Sequence, residues 1–158
     1  MKIEKATPSQ IEILAKEIWN EHYSKILSKE QIDYMLKNFQ SEKAIKVQIQ
    51  DGYNYFVMMV DNEIIGYTGV IFQEEKLFLS KLYIKKEARG KGVARNTLEF
   101  LKSLCIDKGY NKIYLTVNKY NTDSIAAYKK MGFEIIDSVV SDIGNGYVMD
   151  DYIMELCF

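Results

Sequence analysis

The segment LFLSKLYIKKEARGKGVARNTLEFLKSLC, residues 77–105, joins an apolar run to an amphipathic pattern through a basic loop that contains two glycines. The run that ends at Ile84 has the length and composition of a buried strand. Apolar residues then recur at i, i+4, i+7 and i+11 from Ala94 to Cys105, which is one face of a helix. The order strand, loop and helix indicates an anion site at the start of the helix, in the loop of residues 89–94.

This anion site has a physical basis. The first amides of a helix have no intrahelical partner, the helix dipole favours negative charge there, and glycine lets a ligand approach the main chain closely. Residues 81–95 contain six basic residues and one acidic residue, whereas the rest of the chain has 15 basic and 21 acidic residues. The positive charge is therefore concentrated where the free amides are expected.

The composition limits the class of protein. A chain of 158 residues with 47% hydrophobic residues and one proline is typical of a single globular domain, which we assign to residues 1–158. A net charge of −1 favours neither nucleic acid nor membrane as a partner. No apolar run reaches the roughly 18 residues of a membrane span, and the N-terminus has no secretory pattern, so we expect a cytoplasmic protein. Two cysteines are too few for a disulfide framework, and Cys105 is expected in the core.

The N-terminal part predicts a short strand at residues 2–6 and two amphipathic helices. Thr7-Pro8-Ser9-Gln10 has the pattern of a capping box with proline at the first helical position, and Ser28-Lys29-Glu30-Gln31 repeats the capping pattern. Residues 19–23, WNEHY, are expected to form a polar and aromatic hinge between the helices.

The remaining elements predict an α/β fold with one mixed sheet. Residues 41–50 fit a short helix or a strand, and we favour the helix. Gly66 and Gly69 indicate a bulge or a close approach within their strand. The expected elements are strands at residues 53–60, 64–72, 113–117, 133–140 and 147–156, and a short helix at residues 121–130. With helices on both faces, ligands are expected where strand pairing breaks.

Two motifs resemble those of the GNAT superfamily of acyl-CoA-dependent N-acetyltransferases. Arg89-Gly90-Lys91-Gly92-Val93-Ala94 is similar to the family's Gln/Arg-x-x-Gly-x-Gly/Ala signature, with alanine in the last place. Asn121, followed by the segment SIAAYKKMGF at residues 124–133, resembles the second signature. The likeness extends from about Tyr53 to Phe133 and implies an acyl-CoA N-acyltransferase fold, in which a mixed, mostly antiparallel sheet is flanked by helices.

The resemblance also implies acetyl-CoA as cofactor and a set of site residues. The loop amides would hold the pyrophosphate, the central strand would pair with the pantetheine arm, and Tyr128 would lie near the thioester sulfur as the catalytic acid. The residues implied to bind the cofactor are Leu82, Tyr83, Ile84, Arg89, Gly90, Lys91, Gly92, Val93, Ala94, Asn118, Asn121, Tyr128 and Lys130. Asn121 is also a candidate cap for its own helix.

The acceptor side is less well defined by the motifs. A primary amine with a pKa of about 10.4 is neutral in only about one molecule in 2,500 at pH 7, so a base is needed. The candidates for this base are Glu21, His22, Asp150 and Asp151. The residues expected to contact the acceptor are Glu21, Tyr23, Tyr34 and Asp150. The acidic remainder of the chain favours a small cationic amine, and the likeness is greatest to bacterial polyamine acetyltransferases.

Other functions stay open at this stage. A non-catalytic acyl-CoA-binding or sensing module, or an enzyme that acetylates peptides, would share both motifs. A P-loop enzyme is disfavoured because residues 89–94 lack its Gly-Lys-Ser/Thr order. His22 is the only histidine, and nothing at a useful spacing supports a triad or a metal site built on it. Residues 147–156 are expected to form an edge strand that pairs two subunits in a homodimer.

Overall fold

The computed structural model describes the whole chain, Met1–Phe158, as one seven-stranded sheet with helices on both faces. The order of strands is β1-β2-β3-β4-β5-β7-β6, and only β4 and β5 are parallel neighbours. The strands are β1 (Lys2–Lys5), β2 (Asn54–Val60), β3 (Glu63–Gln73), β4 (Lys76–Ile84), β5 (Lys112–Asn118), β6 (Glu134–Gly144) and β7 (Tyr147–Cys157). The helices are α1 (Pro8–His22), α2 (Lys29–Phe39), α3 (Glu42–Gln50), α4 (Val93–Asp107) and α5 (Thr122–Lys130). The predicted mixed, mostly antiparallel sheet is confirmed.

Each face of the sheet has its own core. Helices α1, α2 and α3 bury their apolar faces on one side, and α4 and α5 bury theirs on the other. Cys105 is fully buried in the α4 side, as the helical spacing predicted. Every helix of the protein is too short or too polar to cross a bilayer.

Helix capping largely follows the sequence. At Thr7 the capping box is complete, with Pro8 in the first turn. At Ser28 only half of the pattern forms, because the Gln31 side chain donates to the carbonyl of Val148 instead of returning to the cap. A tertiary contact to β7 thus replaces a local one.

Residues 41–50 form the helix that we favoured. The Ser41 side chain accepts from the amide of Ala44, and α3 follows directly. Ile45 is fully buried and Val47 is half exposed. The alternation of apolar residues therefore reflects one buried helical face and not a strand.

Two predictions about element ends are wrong. Residues 19–23 do not form a hinge, because α1 continues to His22 and only Tyr23 lies beyond its end. Residues 147–156 do not form an edge, because β7 lies between β5 and β6 and pairs with both. The order of the last two strands cannot be read from their sequences, since either can be the edge of a hairpin. The edges are β1 and β6.

The sheet splits between β4 and β5. These strands pair only at Leu77 with Ile113 and at Phe78 with Tyr114, and then diverge. Ser80 is an extra residue in β4, since Val70 pairs with Leu79 and Gly69 with Lys81. Such a bulge bends a strand and increases its twist, which accounts for the divergence just beyond the last pair. Ligands were expected at a break in strand pairing, and this split is such a break.

Candidate active site

A cavity of about 870 Å³ passes through the split between β4 and β5. One end lies among the loop before α4, the first turn of α4, and α5. The other end, which we call the inner chamber, lies between the sheet and α1–α3. The inner chamber is lined by Trp19, Tyr23, Met35, Phe39, Gln40, Gln48, Tyr53, Lys81, Tyr83, Ile143, Met149 and Asp151.

The loop end contains a row of free amides, which we call the amide cradle (Gly90–Arg95). The first amide of α4 to find a helical acceptor is that of Asn96, which donates to the carbonyl of Gly92. Gly90 and Gly92 have φ values of 74° and 81°, and a side chain at either would meet nothing within 4 Å. The amides before Asn96 have no acceptor in the protein, and no side chain caps the helix. The cradle is thus built to accept an anion.

The Arg89 side chain holds this loop in place. Its guanidinium forms a two-pronged ion pair with Glu21 at 2.8 and 2.9 Å, and its Nε donates to the carbonyl of Ile84 at 3.0 Å. The hydrogen bond from Arg89 lowers the pKa of Glu21, which stays ionised. Both side chains are engaged, so Arg89 contributes to the cradle by fixing the loop, and Glu21 is unsuited to act as a base. Lys91 is outside the cavity lining, while Lys130 lines the cavity.

The walls of the split come from β4, β5 and α5. Leu82, Tyr83 and Ile84 line the cavity, and their main chain has no strand partner on the β5 side. Asn118 and Asn121 line it as buried side chains. Asn118 accepts from the amide of Tyr120 at 2.9 Å, whereas Asn121 stands at the N-cap of α5 without capping it.

Tyr128 faces the same space from α5. Its ring packs edge-on against Phe133 at 5.4 Å, and its hydroxyl has no hydrogen-bond partner within the protein. Burial raises the pKa of Tyr128 above the ordinary value of a phenol. The hydroxyl therefore holds its proton at neutral pH and is free to donate it in the cavity.

Asp151 is the candidate base that the structure places in the cavity with a free oxygen. It is 8% exposed, and its Oδ1 is buried without a hydrogen-bond partner. Burial, and then the charge of Asp150, raise the pKa of Asp151 to about 6, while Lys119 lowers it in part. This carboxylate is ionised at pH 7 and yet basic enough to accept a proton.

The other acidic candidate and the histidine are placed differently. Asp150 lies 2.8 Å from Lys119 Nζ and outside the cavity lining. His22 lines the cavity beside Tyr23, and burial and the charge of Arg89 lower its pKa. Tyr34 lies outside the lining, and its hydroxyl donates to the carbonyl of Ile143 at 2.7 Å.

The inner chamber also contains residues that sequence reasoning did not assign to the site. Lys81 was counted with the basic cluster and on the central strand, and Gln48 with an ambiguous element, but both line the chamber. Trp19 is a third such residue, and its indole donates to the hydroxyl of Tyr67. Tyr23, which was expected to contact the acceptor, also lines the chamber, and its hydroxyl lies 3.4 Å from that of Tyr83. A lysine between apolar residues of a central strand was the one available signal.

Comparisons with known proteins agree with this geometry. The acetyltransferase (GNAT) family model matches residues 13–133. An uncharacterised N-acetyltransferase of Escherichia coli, YjgM, is 26% identical over 66% of this chain and 65% of its own length, so this chain spans just under two thirds of it. The spermidine N(1)-acetyltransferase of Thermoplasma acidophilum is 25% identical over 90% of this chain and 93% of its own length.

A solved structure supports the fold. The PaiA N-acetyltransferase of Thermoplasma acidophilum, in complex with coenzyme A, superposes with a TM-score of 0.81 over 100% of both chains at 23% identity. At this level of identity the likeness is one of fold.

Proposed function

This chain belongs to the acetyltransferase (GNAT) family, and from that premise we propose that it transfers the acetyl group of acetyl-CoA to a small primary amine. The observation that supports this most directly is the amide cradle at one end of a cavity that passes through the split sheet. The cradle is suited to a diphosphate, and the cavity connects it with a buried carboxylate, Asp151, and a free phenol, Tyr128. An anion-binding end, a base and an acid thus share one continuous space.

The residues of the cavity fit coenzyme A. The amide cradle would hold the pyrophosphate, with Lys130 within the same lining. The unpaired main chain of Leu82–Ile84 offers the donors and acceptors of an added strand to a pantetheine arm, and Asn118 and Asn121 offer side-chain amides. The thioester supplies an acyl group that an amine can take directly.

Proton transfer is the task of the protein. An amine that enters as an ammonium ion must lose a proton before its nitrogen can attack, and Asp151 Oδ1 is free to accept it directly or through water. The Tyr128 hydroxyl holds a proton for the sulfur that leaves. Trp19, Tyr23 and Tyr83 line the inner chamber, and aromatic rings can attract an ammonium ion before it loses its charge.

Within the class of small amines, a polyamine is the candidate that the relatives suggest. The spermidine N(1)-acetyltransferase named above aligns with this chain over nearly its whole length. The acidic balance of the chain outside residues 81–95 favours the same class. There are two alternatives: an enzyme that acetylates peptides, and an acyl-CoA sensor without turnover.

One experiment separates these functions. Release of free thiol from acetyl-CoA would be measured with spermidine, spermine, single amino acids, aminoglycosides and peptide amines. We expect fast release with at least one small amine. Coenzyme A binding without release in any arm would favour the sensor, and release with peptides alone would favour the peptide enzyme.

We also propose a homodimer, with β6 in place of β7 as the contact. β6 is an edge strand of 11 residues, and Ile136 and Val140 on it are 54% and 65% exposed. An exposed, apolar edge favours pairing with another chain. Sedimentation of the wild type as a dimer and of Val140→Lys as a monomer is the expected result; a monomeric wild type would contradict it.

A further inference from the structure

A lysine is buried in the wall of the inner chamber without a counter-ion. Lys81 is 7% exposed and lines the chamber. Every ion pair of the protein involves other residues, so no carboxylate lies within 4.0 Å of its Nζ. Burying a charge without a partner is costly, and a core position such as this is normally apolar. The protein therefore keeps Lys81 at a cost to stability.

Three neighbouring strands are arranged to hold this lysine. Tyr55 of β2, Gly69 of β3 and Lys81 of β4 pair in one row across the sheet. A side chain at Gly69 would lie 2.5 Å from the Tyr55 ring, so glycine is what lets that ring reach across β3. Lys81 Nζ donates one hydrogen bond to the Tyr55 hydroxyl and another, of 2.8 Å, to Gln48 Oε1.

These contacts position the ammonium group without neutralising it. Both acceptors are uncharged, and they leave one of the three Nζ hydrogens of Lys81 without an acceptor in the protein. Burial alone lowers the pKa of Lys81 to about 7, since no charged neighbour contributes. An anionic ligand in the chamber would supply the missing partner and keep the amine protonated.

The same chamber holds an unpaired charge of the opposite sign. Asp151 Oδ1 is buried without a partner, and Asp151 and Lys81 form no ion pair with each other. A ligand with one ammonium group and one anionic group can satisfy both residues at once. A ligand with two ammonium groups satisfies Asp151 and is repelled by Lys81.

We propose that the acceptor is a small amine that also carries a carboxylate, and that Lys81 binds this carboxylate and so determines specificity. The inference rests on the proposed acetyl transfer and narrows its substrate class. It disfavours a polyamine whose second ammonium group enters the chamber.

Matched substrates test the proposal. Ornithine and putrescine differ by one carboxylate, as do lysine and cadaverine. We expect kcat/KM to be at least about tenfold higher for the carboxylate-bearing member of each pair, the usual scale of one hydrogen bond to a charged group. In Lys81→Met this preference should disappear through a loss with ornithine, while putrescine reacts as well as before or better.

Two further variants and a binding measurement complete the test. Lys81→Arg should retain part of the preference, and Lys43→Met, on an exposed and unpaired lysine, should retain all of it. Thermal unfolding should show that Lys81→Met is at least as stable as the wild type, because a buried charge is removed. Calorimetry on protein saturated with coenzyme A should show tighter binding of ornithine than of putrescine, and Lys81→Met should remove the difference.

The outcomes separate this inference from the proposed function. Turnover that favours putrescine, or a preference that survives Lys81→Met, overturns the inference and leaves acetyl transfer standing. An equal loss with both substrates would make Lys81 a base and also overturn it. Absence of thiol release with every amine would remove the proposed function, and calorimetry would still decide whether Lys81 recognises a carboxylate.

Discussion

The two ends of the cavity are built from different parts of the chain. The amide cradle consists of main-chain groups from consecutive residues, Gly90–Arg95, and its glycines serve by lacking a side chain. The inner chamber consists of side chains from α1, α2, α3, β4 and the β6–β7 hairpin, and its lysine and aspartate, Lys81 and Asp151, are buried without counter-ions. Because the two ends share no residues, the loop can continue to bind the coenzyme while changes among the chamber side chains alter which acceptor binds. We therefore expect the cradle to determine coenzyme affinity and the chamber to determine turnover.

The sharpest test of this division is Asp151→Asn. If Asp151 accepts the proton of the amine, kcat should fall by about 10²- to 10⁴-fold, the usual contribution of a general base. The dissociation constant of coenzyme A, measured by calorimetry, should change less than about twofold. Asp107→Asn, an exposed residue at the end of α4, is the matched control and should leave kcat unchanged.

The pH dependence gives a second reading of the same group. The pKa of Asp151 is raised from 3.8 to about 6, so this carboxylate becomes protonated as the pH falls below about 6. The rate of acetyl transfer should therefore be low at acidic pH and increase as the pH rises through about 6. Ionisation of a carboxylate whose pKa is raised opposes folding, so the free energy of unfolding should decrease as pH rises between these two values. Asp151→Asn should therefore raise Tm at pH 7. A variant that loses both activity and stability would make Asp151 a structural residue.

Tyr128→Phe tests the acid from the other side of the split. We expect kcat to fall by about 10²-fold, which is the lower end of the usual contribution of a general acid. The lower end applies because water can partly replace the Tyr128 hydroxyl as the proton donor. Coenzyme A affinity should be unchanged, because the hydroxyl has no partner in the protein whose loss would disturb the fold. Tyr120→Phe, at a side chain that is 71% exposed, is the control. If Tyr128→Phe and the wild type have equal turnover, Tyr128 is not the general acid.

The same contrast explains what the sequence could predict. Helix periodicity placed α4, and the glycines at 90 and 92 predicted the cradle, because both signals lie within one contiguous segment. Pairing of β7 with β5 was missed, since hairpin partners carry no signal of which strand faces inward. Asp151 was one of four candidate bases in the sequence.

The burial of the Lys81 side chain could not be predicted from the sequence. Lys81 reads as part of a basic cluster until Gly69 and Tyr55 are seen in the same row of the sheet. Its environment depends on three strands whose residues are 12 or more positions apart along the chain. The extra residue Ser80, which turns Lys81 toward α1–α3, is visible only in the register of β3 and β4.

Gly92→Ala tests whether a ligand occupies the open space above the cradle. Alanine at a φ of 81° costs roughly 1–2 kcal/mol of backbone strain. Gly109→Ala provides the matched control, because Gly109 has a φ of 78°, also has nothing within 4 Å, and lies outside the cavity lining. Both variants should lose similar Tm, but only Gly92→Ala should weaken coenzyme A binding, by about tenfold. If both variants bound coenzyme A with equal affinity, the diphosphate would have to bind somewhere other than the cradle.

The smallest expected effect concerns the ion pair that connects the two ends. Glu21 is on α1, beside the inner chamber, and Arg89 is in the loop of the cradle, so their contact links acceptor side and coenzyme side. Glu21→Gln should raise the coenzyme A dissociation constant by about threefold with little change in Tm, because an ion pair that is one-third exposed contributes at most about 1 kcal/mol. Glu17→Gln, one turn earlier on α1, removes a longer contact of 3.4 Å to Lys85 and serves as the control. If both variants weaken binding equally, the effect is one of general charge at this face, and the two ends of the cavity are independent.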